Sequence, residues 1–175
     1  MGLLRYHLNY NGDKMYKLNQ NSITRLVDGA SIPLADGNRD YEEYKQWLSD
    51  GGIPDPEFTD AELLANAKIA KTQELEIAFN VASKLPVTVG TKTYNGGIES
   101  AQAIRDYIQL VSESGGTVFT IWDSSNVFSD YTLDQANAIK LAIASKVFEG
   151  ALNLRLKKNA VNDATTITAI NAVVF

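Results

Sequence analysis

Leu4, Tyr6, Leu8 and Tyr10 alternate with Arg5, His7 and Asn9, the period of two that marks a half-buried strand. Asn11-Gly12 follows, a pair suited to the positive φ angles of a tight hairpin turn. Lys14 to Leu18 is then the returning strand. A turn at Asn19-Gln20-Asn21 leads into a third strand, Ile23 to Val27, closed by Asp28-Gly29. This pattern predicts a small antiparallel meander, which is marginal alone and needs something to pack on. From Asp40 the period changes. Tyr41, Tyr44, Trp47 and Leu48 fall at i, i+3, i+6 and i+7, one face of a short helix over 40–49. Asp40, Glu42 and Glu43 sit where they suit the N-terminal end of its dipole. Gly51-Gly52 ends the helix. Ile53-Pro54-Asp55-Pro56 reads as a stiff, extended linker, because each proline fixes its own φ and disfavours helix before it.

Beyond the linker the period is mostly helical. Thr59-Asp60-Ala61-Glu62 is a capping box, and it opens a helix running to about Lys84. Leu64, Ala67, Leu75, Ala78, Val81, Ala82 and Leu85 give that helix a broad apolar stripe, and Pro86 stops it. Val87 to Val89 and Thr91 to Tyr94 form a hairpin around Gly90. A second helix spans Ile98 to Ser112, with Ala101, Ile104, Ile108 and Val111 on one face and Gly115-Gly116 as its stop. Thr117 to Trp122 is strand-like and pairs with Val127-Phe128. Thr132-Leu133-Asp134-Gln135 is another capping box. It opens the longest helix, to about Lys157, with Ala136, Ile139, Ile143, Val147 and Leu154 on its buried side. Asp163 starts a last short helix carrying Ile167 and Ile170. The expected fold is α+β: a β-rich module over 1–57 with helix 40–49, then a mainly helical domain with short β-hairpins over 58–175. At 175 residues the chain has room for one medium domain or two small ones, which suits this division.

Composition narrows the chemistry. Cysteine is absent and His7 is the single histidine. Disulfide frameworks, thiol nucleophiles, zinc fingers and multi-histidine metal sites are therefore excluded. His7 lies on the polar side of its predicted strand and is not read as catalytic. The net charge is −5, with −3 before Thr59 (six basic residues against nine acidic). Neither half has the clustered positive charge that binds a phosphate backbone. Lys140, Lys146, Arg155, Lys157 and Lys158 lie in the last long helix, but cations near a helix C-terminus are favoured by the dipole. The acidic clusters at 40–43 and 55–62 likewise read as helix starts. The turn Gly90 to Gly97 has neither a dinucleotide nor a P-loop pattern, and Asp123 to Asn126 lacks the glycine and closing glutamate of a calcium loop. No catalytic, metal or cofactor site is expected, and the cofactor expectation is none. No apolar run is long enough to span a bilayer, and the alternating N-terminus is not a secretory signal.

The segment Thr24-Arg25-Leu26-Val27-Asp28-Gly29-Ala30-Ser31-Ile32-Pro33, followed by Asn38-Arg39-Asp40-Tyr41-Glu42-Glu43-Tyr44-Lys45-Gln46-Trp47-Leu48, carries a resemblance. It is similar to a short module of tailed-bacteriophage tail-fibre and tail-associated proteins, in which a strand-turn of the form RL-DGA-IP precedes a DY--Y--WL helix and a proline-rich linker. Residues 60–175 resemble, more loosely, an uncharacterised helical domain that often follows this module. The points of likeness are the helix from Lys68 to Leu85, the hairpin at Thr91 to Tyr94, Ala101 to Ile104, Trp122, and the run from Leu154 to Lys157. The Gly96-Gly97 turn departs from that pattern. The resemblance implies a structural component of a phage tail, acting through protein–protein contacts with other tail or fibre proteins. The alternative is a fibre-assembly chaperone not retained in the virion. It implies a homo-oligomer, trimer first and hexamer second, with no enzymatic activity, nucleic acid or membrane partner. The implied location is the virion tail after synthesis in the host cytoplasm. Arg39, Tyr41, Tyr44, Trp47 and Leu48 are the candidate interaction residues, the aromatic ones serving either as a mini-core or as a contact hot spot.

Overall fold

Three hairpin-linked strands open the architecture seen in a computed structural model, which describes residues 15–175. They are β1 (Tyr16–Asn19), β2 (Ser22–Arg25) and β3 (Ala30–Pro33), an antiparallel sheet in that order. Helix α1 (Arg39–Ser49) covers one face of it. Of the strand expected at Lys14 to Leu18, the described part falls in β1, which runs from Tyr16 to Asn19, and Lys14 lies outside the described residues. The strand expected to reach Val27 stops at Arg25, because Leu26 to Gly29 turn the chain. Residues 30–33, which show no clear alternation, pair with β2 in the register Ile23 with Ile32 and Thr24 with Ser31. Ile23 and Ile32 are each 1% exposed and form the centre of this small core. The predicted strand at Leu4 to Tyr10, the Asn11-Gly12 turn and His7 lie outside the described residues.

The linker is extended, and it is not a free tether. Asp55 bridges β1 in parallel: Leu18 N donates to Asp55 O at 2.9 Å, and Asp55 N donates to Tyr16 O at 2.8 Å. Of Pro54-Asp55-Pro56, only Asp55 has an N–H to give. The chain divides into two compact units, Met1–Leu63 and Leu64–Phe175.

The second unit is built from α2 (Asp60–Ser83, whose first residues precede the division), the hairpin β4 (Val87–Val89) with β5 (Lys92–Tyr94), α3 (Ile98–Glu113), the hairpin β6 (Phe119–Trp122) with β7 (Phe128–Tyr131), α4 (Leu133–Asp163) and α5 (Ile167–Asn171). Both expected capping boxes form. Thr59 N donates to Glu62 Oε2 at 2.7 Å while Glu62 N donates to Thr59 Oγ1 at 3.2 Å. Thr132 and Gln135 exchange the same pair of bonds. The molecule is α+β, with a strand-built N-terminal part and a helical remainder carrying two short hairpins.

Helix α4 serves two separate cores. Its first half places Ala136, Ile139 and Ile143 against Ala101 and Ile108 of α3, Phe119 and Ile121 of β6, and Tyr94 of β5. Its second half joins Val161 to Leu75 of α2 and Ile170 of α5, with Leu64, Ala67, Leu154 and Phe175 around them. This second cluster explains why α4 continues to Asp163, past the expected end near Lys157. Burial of Val161, fully inaccessible, holds the helix beyond the point where its local pattern weakens. The last helix accordingly begins after Thr166, whose Oγ1 accepts from Ala169 N at 3.1 Å, and not at Asp163.

Removing a buried branched side chain here leaves a cavity that rigid helices fill poorly. Ile143→Ala should destabilise the second unit by about 2–5 kcal/mol. Glu149→Ala, on the exposed side of the same helix, should change stability by less than about 0.5 kcal/mol. Urea unfolding followed by far-UV circular dichroism distinguishes the two.

Candidate functional site

The RL-DGA segment forms an ionic clamp. Arg25 Nε lies 3.1 Å from both carboxylate oxygens of Asp28, and its Nη2 donates to Asp28 Oδ2 at 2.9 Å. Its Nη1 lies 3.5 Å from Asp40 Oδ1 and 3.8 Å from Glu43 Oε2. One guanidinium thus ties the β2–β3 turn to the first turns of α1. Asp28 Oδ1 also accepts from Ala30 N at 3.1 Å, while Gly29 takes a φ of 71°, the left-handed conformation that favours glycine. The Arg25 guanidinium and the Ala30 N–H hold the Asp28 carboxyl below its ordinary value of 3.8. Asn38 then caps α1, its side chain accepting from Asp40 N and Tyr41 N.

The aromatic face of α1 closes on the sheet. Tyr44 is 6% exposed and joins Tyr16, Ile23 and Ile32, with Tyr41 and Trp47 packed around them. Tyr16 meets Tyr44 edge-on at 5.1 Å and Trp47 at 5.0 Å between ring centroids. Gly52 sits flat against the Trp47 indole, where an added Cβ would come within 2.2 Å of ring atoms. Of the five candidate interaction residues, Tyr44 is therefore spent in the core, and Tyr41 and Trp47 are half-buried in its wall. Arg39 and Leu48 remain exposed, Arg39 reaching toward Asp40 and Glu43.

A second candidate surface was not singled out by the sequence reading. Leu141, Phe148, Leu152 and Leu156 of α4 are each 59–67% exposed. At 100° per residue they lie within about 80° of one another, along roughly 22 Å of axis. The row that α4 buries, Ala136 to Val161, lies on the opposite side. Helix α4 is thus apolar on two faces, and a periodicity search that finds the stronger face passes over the other. The apolar stripe of α2 is used in part internally. Leu64, Ala67 and Leu75 pack in the second core, while Val81 and Leu85 stay outside it and are 62% and 50% exposed. Lys158 and Lys146, counted as a basic excess, are engaged by Glu76 and by the Pro86 carbonyl respectively. Among the described residues no group of three or more His, Asp or Glu side chains is placed to hold a metal, and no helix is long and apolar enough to cross a membrane.

No family model matches the chain, and no curated protein or solved structure does either.

Two tests address the N-terminal unit, both read through Trp47 in a Trp122→Phe background. Gly52→Ala should destabilise it by about 1–3 kcal/mol, the cost of forcing a methyl group into a closed contact. Asp28→Asn should weaken it at neutral pH. A lowered carboxyl contributes stability that is present above its ordinary value of 3.8 and is lost as pH falls through the folded value. The gap between wild type and Asp28→Asn should accordingly shrink as pH drops below 3.8 in a chemical-denaturation series.

Proposed function

We propose that this chain is a structural component of a bacteriophage tail (a fibre, adaptor or tail-associated protein) that works by protein–protein contact as a symmetric homo-oligomer. The observation that carries the reading is the outer face of α4. A row of Leu141, Phe148, Leu152 and Leu156 is a large apolar surface to leave in water, and surfaces of this kind mark association sites. A second copy of the same helix is the natural cover, since a symmetric assembly buries one patch on every copy at once. The resemblance of residues 22–57 to a tail-fibre module supplies the setting, and the ionic and aromatic ties described above give that module a fixed shape to present. Three-fold symmetry is the first expectation and six-fold the second.

Light scattering on the purified chain should report a trimer or hexamer. The double variant Leu152→Lys/Leu156→Lys should be monomeric, with an unchanged far-UV circular dichroism spectrum. A wild-type monomer at high concentration would sink the homo-oligomer reading. The same exposed faces suit an assembly chaperone that captures fibre chains and then departs. Mass spectrometry of purified virions separates the two, because a tail component is present at fixed stoichiometry and a chaperone is absent.

A further inference from the structure

A cleft of about 210 Å³ opens in the second unit, away from the outer row of α4 in sequence and built from three other elements. Tyr94 of β5, Ile104 and Tyr107 of α3, and Trp122 of β6 form its walls, with Ala103 on its helical side and Asn95 at its rim. We propose that this cleft is a binding site for a single uncharged aromatic ring of phenol or indole size.

Size is the first argument. A dry cavity of about 150 Å³ accepts benzene, so this cleft has room for one ring with a substituent and not for an extended ligand. Charge is the second. No lining residue is ionic, so an anion would lose its hydration with nothing to replace it, and a cation would have only ring faces and no counter-charge. The state of the polar groups is the third. Ser100 Oγ donates to Gly96 O at 2.8 Å, Thr120 Oγ1 donates to Asp130 Oδ1 at 2.7 Å, and the Tyr94 and Tyr131 hydroxyls bond each other at 2.6 Å. Tyr107 Oη accepts from Thr120 N at 3.2 Å, which leaves its own proton to give. The Asn95 amide is exposed and unengaged by any described side chain. The cleft therefore offers few free polar groups, the Tyr107 hydroxyl and the Asn95 amide first among them, and several aromatic faces. A pyranose would bury most of its hydroxyls without partners, at a cost for each. A phenol or an indole has one polar atom and a π face that matches the rings on the walls. Trp122 is 53% exposed and leans on Phe128 at 5.9 Å, so the indole lies at the mouth without filling it.

The ring could arrive free or as a tyrosine or tryptophan side chain. Titration of the ¹⁵N-labelled chain with p-cresol, indole, N-acetyl-tyrosinamide and methyl glucoside distinguishes these by heteronuclear NMR. Aromatic probes should shift the Trp122 Nε1–H and the amides of Ile104, Tyr107 and Thr120 saturably, with a Kd of about 1 mM or tighter, while the Trp47 indole stays still. Ala103→Leu, at an exposed helical position, fills the cleft and should weaken binding by about tenfold or more with an unchanged circular dichroism spectrum. Tighter binding of the tyrosinamide than of p-cresol would place the ring on a polypeptide, and the reverse order would indicate a free small molecule. The proposal is overturned by an absence of saturable shifts, by shifts that survive Ala103→Leu, or by a preference for the glucoside.

Discussion

The second unit depends on one constraint: a single helix must satisfy two cores that do not touch in sequence. A 31-residue α4 is about 46 Å long, well beyond what one small cluster can cover. Its first half is held by α3 and the hairpins, and its second half by α2 and α5. If either cluster loosens, the corresponding half of α4 becomes an isolated helix, and isolated helices of that length are marginal in water. The pairing of α2 with α4 shows how the far end is held. Lys68 Nζ reaches the Asn162 carbonyl at 2.6 Å, Lys158 engages Glu76, and Phe79 meets Phe175 edge-on at 6.2 Å. Lys71, 9% exposed, is tolerated at this burial because its ammonium reaches Glu74 at 2.9 Å.

The N-terminal unit solves a different problem, that of a sheet too small to be stable alone. Three short strands bury only Tyr16, Ile23 and Ile32, and α1 adds Tyr44. The remaining rigidity comes from ties that are local in sequence. Arg25 joins turn to helix, Asn38 caps the helix, Gly52 closes on Trp47, and Asp55 pairs with the outer side of β1. The last of these bears on the free edge of the sheet. Part of the β1 edge is already occupied by the chain's own linker, and a partner would have to displace two backbone hydrogen bonds to extend the sheet there.

The sequence was most legible where a local rule decides the structure. Capping boxes at Thr59 and Thr132, the break at Pro86, the helical row at Tyr41, Tyr44 and Trp47, and the hairpin around Gly90 are each set by a few neighbouring residues, whereas the strand expected at Val127-Phe128 runs instead from Phe128 to Tyr131, paired with Phe119 to Trp122. It was least legible where distant packing decides. Strand β3 has little alternation of its own and exists because Ile32 finds Ile23 across the turn. The last turns of α4 exist because Val161 finds Leu75 and Ile170. The cleft was invisible for the same reason: Tyr94, Tyr107 and Trp122 come from a strand, a helix and another strand, and no spacing along the chain brings them together. The outer row of α4 is a different case. Its residues are plain in the sequence, yet the inner row at nearly opposite phase masks it.

That masking has a physical meaning. A helix exposed to water on one side ordinarily carries charge there, and α4 does so only beside the row, at the exposed Glu149 and Arg155. Leucine and phenylalanine occupy the outer centre instead, at positions where lysine or glutamate would serve the isolated fold as well. Helix propensity does not distinguish strongly between leucine and these charged residues, so the isolated helix does not require leucine there. Phenylalanine at 148 is a weaker helix former than any of them, and its ring is 67% exposed. The fold of one copy therefore does not call for this row, which is why the proposed function rests on it. On the proposed reading, the exposed Glu149 and Arg155 beside the row would serve as a solvated rim, the arrangement by which interfaces keep water out of their middle.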